Sequence, residues 1–165
     1  MSKIIVFVCT GNTCRSPMAE YYFNSEAEKI KKANKDFEIT AVSRGLNAGY
    51  GAPMALNAKK TLASNNIICN IDNILHESKQ IDEDILEKAD FIYGITEAHA
   101  RILKEHFPQF ESKIFAMPEN IGDPYGGSLE VYERCFENIK RAVDIIITDI
   151  INITDTAGEQ KDAGE

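Results

Sequence analysis

The sequence predicts an α/β fold: one domain, a three-layer sandwich in which a four-stranded parallel sheet carries helices on both faces. Three observations predict it. Short apolar runs at residues 4–8, 37–42, 90–95 and 113–116 are separated by segments with helical spacing, the pattern of strands joined by crossover helices. A length of 165 residues suits a single core. No internal repeat or low-complexity core segment divides the chain.

The elements follow in order. Ile4-Ile5-Val6-Phe7-Val8 is uninterrupted by polar residues, as expected of a strand buried on both faces. After a polar, glycine-containing stretch, Pro17 stands in the first turn of a helix whose apolar spacing runs over 18–30. Lys29, Lys31 and Lys32 complement its carboxyl end. Residues 37–42 alternate apolar and polar and form the second strand, closing a βαβ unit at Ser43-Arg44-Gly45. A Gly- and Asn-rich loop over 45–53 precedes a helix over 53–63, which Asn65-Asn66 ends. Residues 67–75 show no single periodicity; 82–88 are amphipathic and helical. The third strand spans 90–95, and Thr96 caps a helix running to about His106. After the fourth strand, a loop over 118–127 rich in Pro and Gly leads to a long helix over 128–151. Its apolar end, Ile145-Ile146-Ile147 and Ile150-Ile151, reads as core, with a partner surface as the alternative. The domain is expected to end at 153, and 154–165, with no apolar residue larger than alanine, to be a disordered tail.

The chemistry concentrates between the first strand and the first helix, in Cys9-Thr10-Gly11-Asn12-Thr13-Cys14-Arg15-Ser16. Backbone N–H groups at a helix start lack intrahelical acceptors and lie at the positive end of the dipole, so an anion is stabilised there, the Cys9 thiolate included. Arg15 adds a guanidinium fork matched to two oxygens of a tetrahedral oxyanion. Gly11 allows close backbone approach, and Asn12 tolerates a left-handed conformation that turns successive N–H groups inward. In an open parallel sheet, ligands bind outside the carboxyl ends of the strands, where Cys9 lies.

Composition narrows the function classes. A formal net charge of -8 argues against nucleic acid, and no apolar run approaches the length of a membrane span. Cys9, Cys14, Cys69 and Cys135 lack metal-ligand spacing, so neither metal nor disulfide framework is expected, and a working thiolate points to the cytoplasm. Cys69 and Cys135 read as core residues, His99 and His106 as solvent-facing or packing residues.

Cys-Thr-Gly-Asn-Thr-Cys-Arg-Ser-Pro-Met-Ala-Glu resembles the phosphate-binding loop of the low-molecular-weight protein tyrosine phosphatases, including their bacterial protein-arginine phosphatase branch. The resemblance continues through Ser43-Arg44-Gly45, His76-Glu77-Ser78, Thr96-Glu97-Ala98-His99 and Asp123-Pro124-Tyr125-Gly126-Gly127, and reaches about residue 150. It implies a phosphorylated protein as substrate, hydrolysis through a cysteinyl-phosphate, and no cofactor. Matched residue by residue, it implies Cys9 as nucleophile, Arg15 as oxyanion ligand and Asp123 as general acid, then base. Phosphate would be held by Thr10, Gly11, Asn12, Thr13, Cys14 and Arg15. Ser16, Ser43 and His76 would support the loop. Cys14 would form a reversible disulfide with Cys9, or else fill space under the helix.

Within that family the sequence leans to phosphoarginine. Thr13 stands where tyrosine phosphatases usually carry isoleucine, and the arginine branch carries threonine. Tyr125 followed by Gly126 offers one aromatic wall instead of two, enough to stack on a guanidinium. Arg44 in place of alanine, and Tyr125 in place of phenylalanine, depart from the arginine branch at the rim. Two other activities use similar loops: an arsenate reductase of the same fold, which needs a further close cysteine pair, and a module that binds phosphate without hydrolysing it. The sequence is silent on oligomeric state.

Overall fold

In the computed structural model, which describes residues 2–162, four parallel strands pair in the order β2-β1-β3-β4: β1 (Lys3–Cys9), β2 (Ile39–Gly45), β3 (Phe91–Gly94) and β4 (Ile114–Ala116). Among the described residues five α-helices connect or follow them: α1 (Arg15–Ala33), α2 (Leu56–Ser64), α3 (Glu83–Lys88), α4 (Glu97–His106) and α5 (Leu129–Asp162). The expected three-layer arrangement is observed.

Strand β1 explains why its sequence is apolar without interruption. Ile5 and Phe7 face a cluster built with α1, α2 and α5, whereas Val6 and Val8 face a smaller cluster with Leu86 of α3 and Ala100 and Leu103 of α4. All four side chains are fully buried, each contributing about 1.5–3 kcal/mol by leaving water. The chain runs from β1 to β2 on one side and returns past β1 to β3 on the other. The carboxyl end of β1 is therefore where the connections diverge and a crevice opens.

Several boundaries differ from the sequence expectation. Helix α1 begins at Arg15, so that Pro17 falls in its first turn as expected and Cys14 becomes its N-cap residue. Strand β2 begins at Ile39, because Phe37 turns inward and its N–H bonds the Asn34 carbonyl. It extends through Ser43 and Arg44 to Gly45. Helix α2 starts at Leu56, since Pro53 is held in a bridge to Glu77. Residues Ile71–Asn73 form a 3-10 turn that the Asn70 side chain caps. Cys69, expected in the core, is exposed, lying in the irregular chain between α2 and that turn.

The segment expected to be irregular from 154 continues α5 to Asp162. Extending an existing helix needs no new nucleus, no proline interrupts it, and the Thr154 and Thr156 hydroxyls bond carbonyls one turn back. Residues 163–165 of that expected tail lie outside the described residues.

Candidate active site

Residues 9–16 wrap around the end of β1. Asn12 adopts φ 57°, the left-handed conformation expected of it. Its N–H points at Cys9 Sγ, 3.3 Å away. The N–H groups of Thr10, Gly11, Thr13 and Cys14 find no acceptor among the described residues, so the loop carries free donors that an anion could take. Gly45 permits this shape from below: a Cβ there would stand 2.7 Å from the Thr10 carbonyl oxygen and 3.1 Å from Asn12 Cβ.

Asn12 is fully engaged and buried. Its amide Nδ2 donates to Ser16 Oγ (2.9 Å) and Ser43 Oγ (3.0 Å), and its Oδ1 accepts the Lys79 N–H (2.9 Å). Its carbonyl accepts His76 Nε2–H at 2.8 Å. Burial holds His76 below its ordinary range, so the ring is a neutral donor. Ser16 Oγ lies 2.9 Å from Cys9 Sγ and 3.3 Å from the Arg44 carbonyl. With the Asn12 amide as its donor, the serine keeps its own proton for the sulfur or that carbonyl.

Arg15 is buried, its Nη1 donating to the Ile121 carbonyl at 3.2 Å. Its Nη2 faces Asp123 Oδ2 at 3.7 Å, and the Asp123 side chain is 58% exposed. The loop 118–127 thus brings Asp123 beside Arg15, the residue that follows the Cys9–Cys14 loop. Tyr125 N–H donates to Asp123 Oδ1 (3.1 Å), and Tyr125 itself is 80% exposed. Gly126, at φ 75°, turns the chain away after this single aromatic. Thr13 is half-buried, its Oγ1 3.7 Å from Cys14 Sγ. Arg44 Nη1 donates to the Ser43 carbonyl at 2.8 Å.

Cys14 Sγ meets the Tyr132 hydroxyl of α5 at 3.1 Å, and burial raises both groups above their ordinary ranges. Cys135, one turn further along, is buried as expected and is pushed up to about 12 by burial.

Sequence reasoning missed two members of this site. Glu20, one α1 turn beyond Ser16, accepts from Ser43 Oγ and so ends a chain running from Cys9 through Ser16, Asn12 and Ser43. Burial raises its carboxyl above the usual range. His99, expected to face solvent or pack, is buried with Nε2 3.0 Å from Thr10 Oγ1. Its helical partner His106 is exposed. The Asn-Cys-Ser loop chemistry is visible locally; Glu20 and His99 reach it only through the fold. No group of three or more His, Cys, Asp or Glu side chains capable of holding a metal occurs among the described residues.

The arrangement combines a thiol, a concave set of N–H donors, a buried guanidinium and an exposed carboxyl facing it. That suits attack on a tetrahedral oxyanion ester or amide with proton transfer to the departing atom. Known proteins agree. A family model described as low molecular weight phosphotyrosine protein phosphatase matches residues 4–153. The sequence is similar to a protein-arginine-phosphatase of Bacillus subtilis (strain 168), 32% identical over 143 residues that cover 82% of this chain and 89% of that protein. It is 33% identical over 144 residues to the low molecular weight protein-tyrosine-phosphatase PtpB of Staphylococcus haemolyticus (strain JCSC1435), covering 82% of this chain and 91% of that protein. The crystal structure of a low molecular weight protein tyrosine phosphatase from T. tengcongensis superimposes with a TM-score of 0.80 at 34% identity, covering 90% of this chain and 99% of that one.

Proposed function

The chain belongs to the low molecular weight phosphotyrosine protein phosphatase family, and from that premise we propose that it is a protein phosphatase that prefers phosphoarginine to phosphotyrosine. In the first step the Cys9 thiolate attacks phosphorus. A P–S bond forms as the P–N bond breaks, and Asp123 protonates the leaving guanidine nitrogen. Arg15 and the N–H groups of residues 10–15 hold the three equatorial oxygens. In the second step Asp123 takes a proton from water, the water oxygen bonds phosphorus, the P–S bond breaks, and Cys9 returns to the thiolate. Asn12, Ser16, Ser43 and His76 hold the loop in shape.

The observation that carries the phosphoarginine preference is the one-sided rim. Tyr125 is exposed beside Asp123, with Gly126 instead of a second wall, while Thr13 supplies a hydroxyl on the loop. A guanidinium stacks on one ring and offers several N–H groups to Asp123, whereas a phenyl ring gains more from two apolar walls. Phosphotyrosine is the second reading, favoured by the identity to the tyrosine phosphatase PtpB. An arsenate reductase is not supported: Cys69 is exposed and the remaining non-nucleophilic thiols, Cys14 and Cys135, are buried. A pure binding module leaves the Asp123–Arg15 apposition without a task.

We propose that it acts in the cytoplasm, since a working Cys9 thiolate needs a reducing compartment, and we expect neither nucleic acid nor membrane as partner. No helix among the described residues is long and apolar enough to cross a membrane. The test is kcat/KM on matched peptides carrying phosphoarginine, phosphotyrosine or phosphoserine. Preference for phosphoarginine supports the proposal; preference for phosphotyrosine transfers the same mechanism to the other substrate; three inert peptides would remove the phosphatase activity.

A further inference from the structure

We infer that His99 is a positioning residue for the phosphate loop: its imidazole ties the first turn of α4 to Thr10, the residue after the nucleophile, and so fixes the Thr10 N–H that faces the oxyanion. The inference rests on the phosphatase reading of the same loop.

Both ring nitrogens are engaged. Nδ1 lies 3.2 Å from the Thr96 N–H and 3.0 Å from Thr96 Oγ1, while the His99 N–H donates back to that hydroxyl at 3.2 Å, a reciprocal cap at the start of α4. Since Nδ1 accepts from the Thr96 N–H, the ring proton sits on Nε2, which donates to Thr10 Oγ1 at 3.0 Å. Thr10 is thereby held from three sides. The Cys9 carbonyl, in the peptide plane that carries the Thr10 N–H, accepts from Leu46 N–H at 2.9 Å. The Thr10 carbonyl accepts from Asn47 N–H at 2.9 Å, and the hydroxyl is taken by His99. With both peptide planes anchored, the Thr10 N–H, which has no acceptor among the described residues, is fixed in orientation and free for an anion.

The fold makes room for this contact at Gly94. A Cβ there would stand 2.4 Å from the Ala100 backbone nitrogen, so only glycine lets α4 press against the end of β3 and bring His99 within reach of Thr10. A histidine is suited to the place because its two nitrogens diverge, one capping its own helix and the other reaching across to the loop. The ring stays neutral beside Arg15, held down to about 4 chiefly by burial and next by that guanidinium, with Asp123 opposing.

Two substitutions separate the two nitrogens. His99→Asn keeps an acceptor for the Thr96 N–H and loses the reach to Thr10; His99→Gln keeps a donor near Thr10 and loses the cap. The experiment is a cycle of wild type, Thr10→Val, His99→Asn and the double variant, read as kcat/KM on p-nitrophenyl phosphate and as affinity for inorganic phosphate, with melting temperatures alongside. Each single change is expected to lower kcat/KM about tenfold and the double change no further, because both remove the same hydrogen bond. His99→Gln should be more active than His99→Asn and melt at a lower temperature, an opposite ordering that a purely structural histidine would not give. Losses that multiply in the double variant, or Gln less active than Asn, would overturn the inference. An inert wild type would instead overturn the phosphatase reading, and the same cycle read as phosphate affinity would then decide whether His99 shapes the loop.

Discussion

Arg15 Nη2 and Asp123 Oδ2 face each other across 3.7 Å, one side chain 8% exposed and the other 58%. The distance is too long for a tight ion pair and the carboxyl is open to water, so the pair contributes little to stability. It leaves Asp123 able to turn to a bound phosphoryl group. Asp123→Asn should therefore slow phosphoarginine and phenyl phosphate peptides by about 100-fold or more, and p-nitrophenyl phosphate, whose leaving group needs no proton, far less. Equal losses on all substrates would refute the general-acid role.

Cys9→Ser should abolish turnover and preserve a measurable fraction of phosphate affinity, because the N–H donors and Arg15 remain. Isothermal titration with inorganic phosphate checks the second half. Turnover near the wild-type rate would remove Cys9 from the mechanism.

Thr13→Ile is expected to shift the ratio of kcat/KM for phosphotyrosine over phosphoarginine peptides upward by about tenfold, by exchanging a hydroxyl for apolar surface at the loop. An unchanged ratio would place substrate choice elsewhere on the rim.

Asn12→Ala removes four side-chain and left-handed-backbone functions together: the bonds to Ser16, Ser43 and Lys79, and tolerance of φ 57°. The loss should be roughly 2–4 kcal/mol, lowering the melting temperature by about 5–10 °C, and activity should fall with it. Calorimetry and a single kinetic assay suffice to check it.

The pH dependence of stability carries a sign that follows from His99. Its folded value of about 4 lies below the ordinary 6.5, so between these values the unfolded chain takes a proton that the folded chain refuses. That contribution is complete above about pH 6.5 and is lost as pH falls toward 4. His76 adds in the same direction, while Glu20, raised by burial, opposes it. Comparing melting temperatures at about pH 7 and about pH 4.5, wild type should lose more than His99→Asn. Identical losses would show that His99 titrates normally.

Much of the site was legible because its parts are consecutive: strand, loop and helix start, from Ile4 to Pro17, carry thiol, glycine, asparagine and arginine in an order that predicts an anion cradle. Asn12 could be assigned its left-handed backbone for the same local reason. Thr10–His99 could not be seen, because the partners are 89 residues apart and meet only when β3 pairs beside β1 and Gly94 admits α4. Glu20 was hidden by its surroundings: a glutamate on a helix reads as solvated until Ser43 of β2 is placed against it. Cys69 misled in the other direction: read as core, it is exposed in irregular chain although its neighbours Ile67 and Ile68 pack partly buried against the core. The residues after 153 lack an apolar face, and composition alone gave no sign that α5 carries on through them.

Asn12 meets partners that are 31, 64 and 67 residues away in the chain: Ser43, His76 and Lys79. In refolding from denaturant, helix content is regained through local contacts, but this hub forms only after distant segments have closed their loops. Phosphate binding should therefore return in a later kinetic phase than the far-ultraviolet signal of α1 and α5, which would make catalysis itself a reporter of the last folding step.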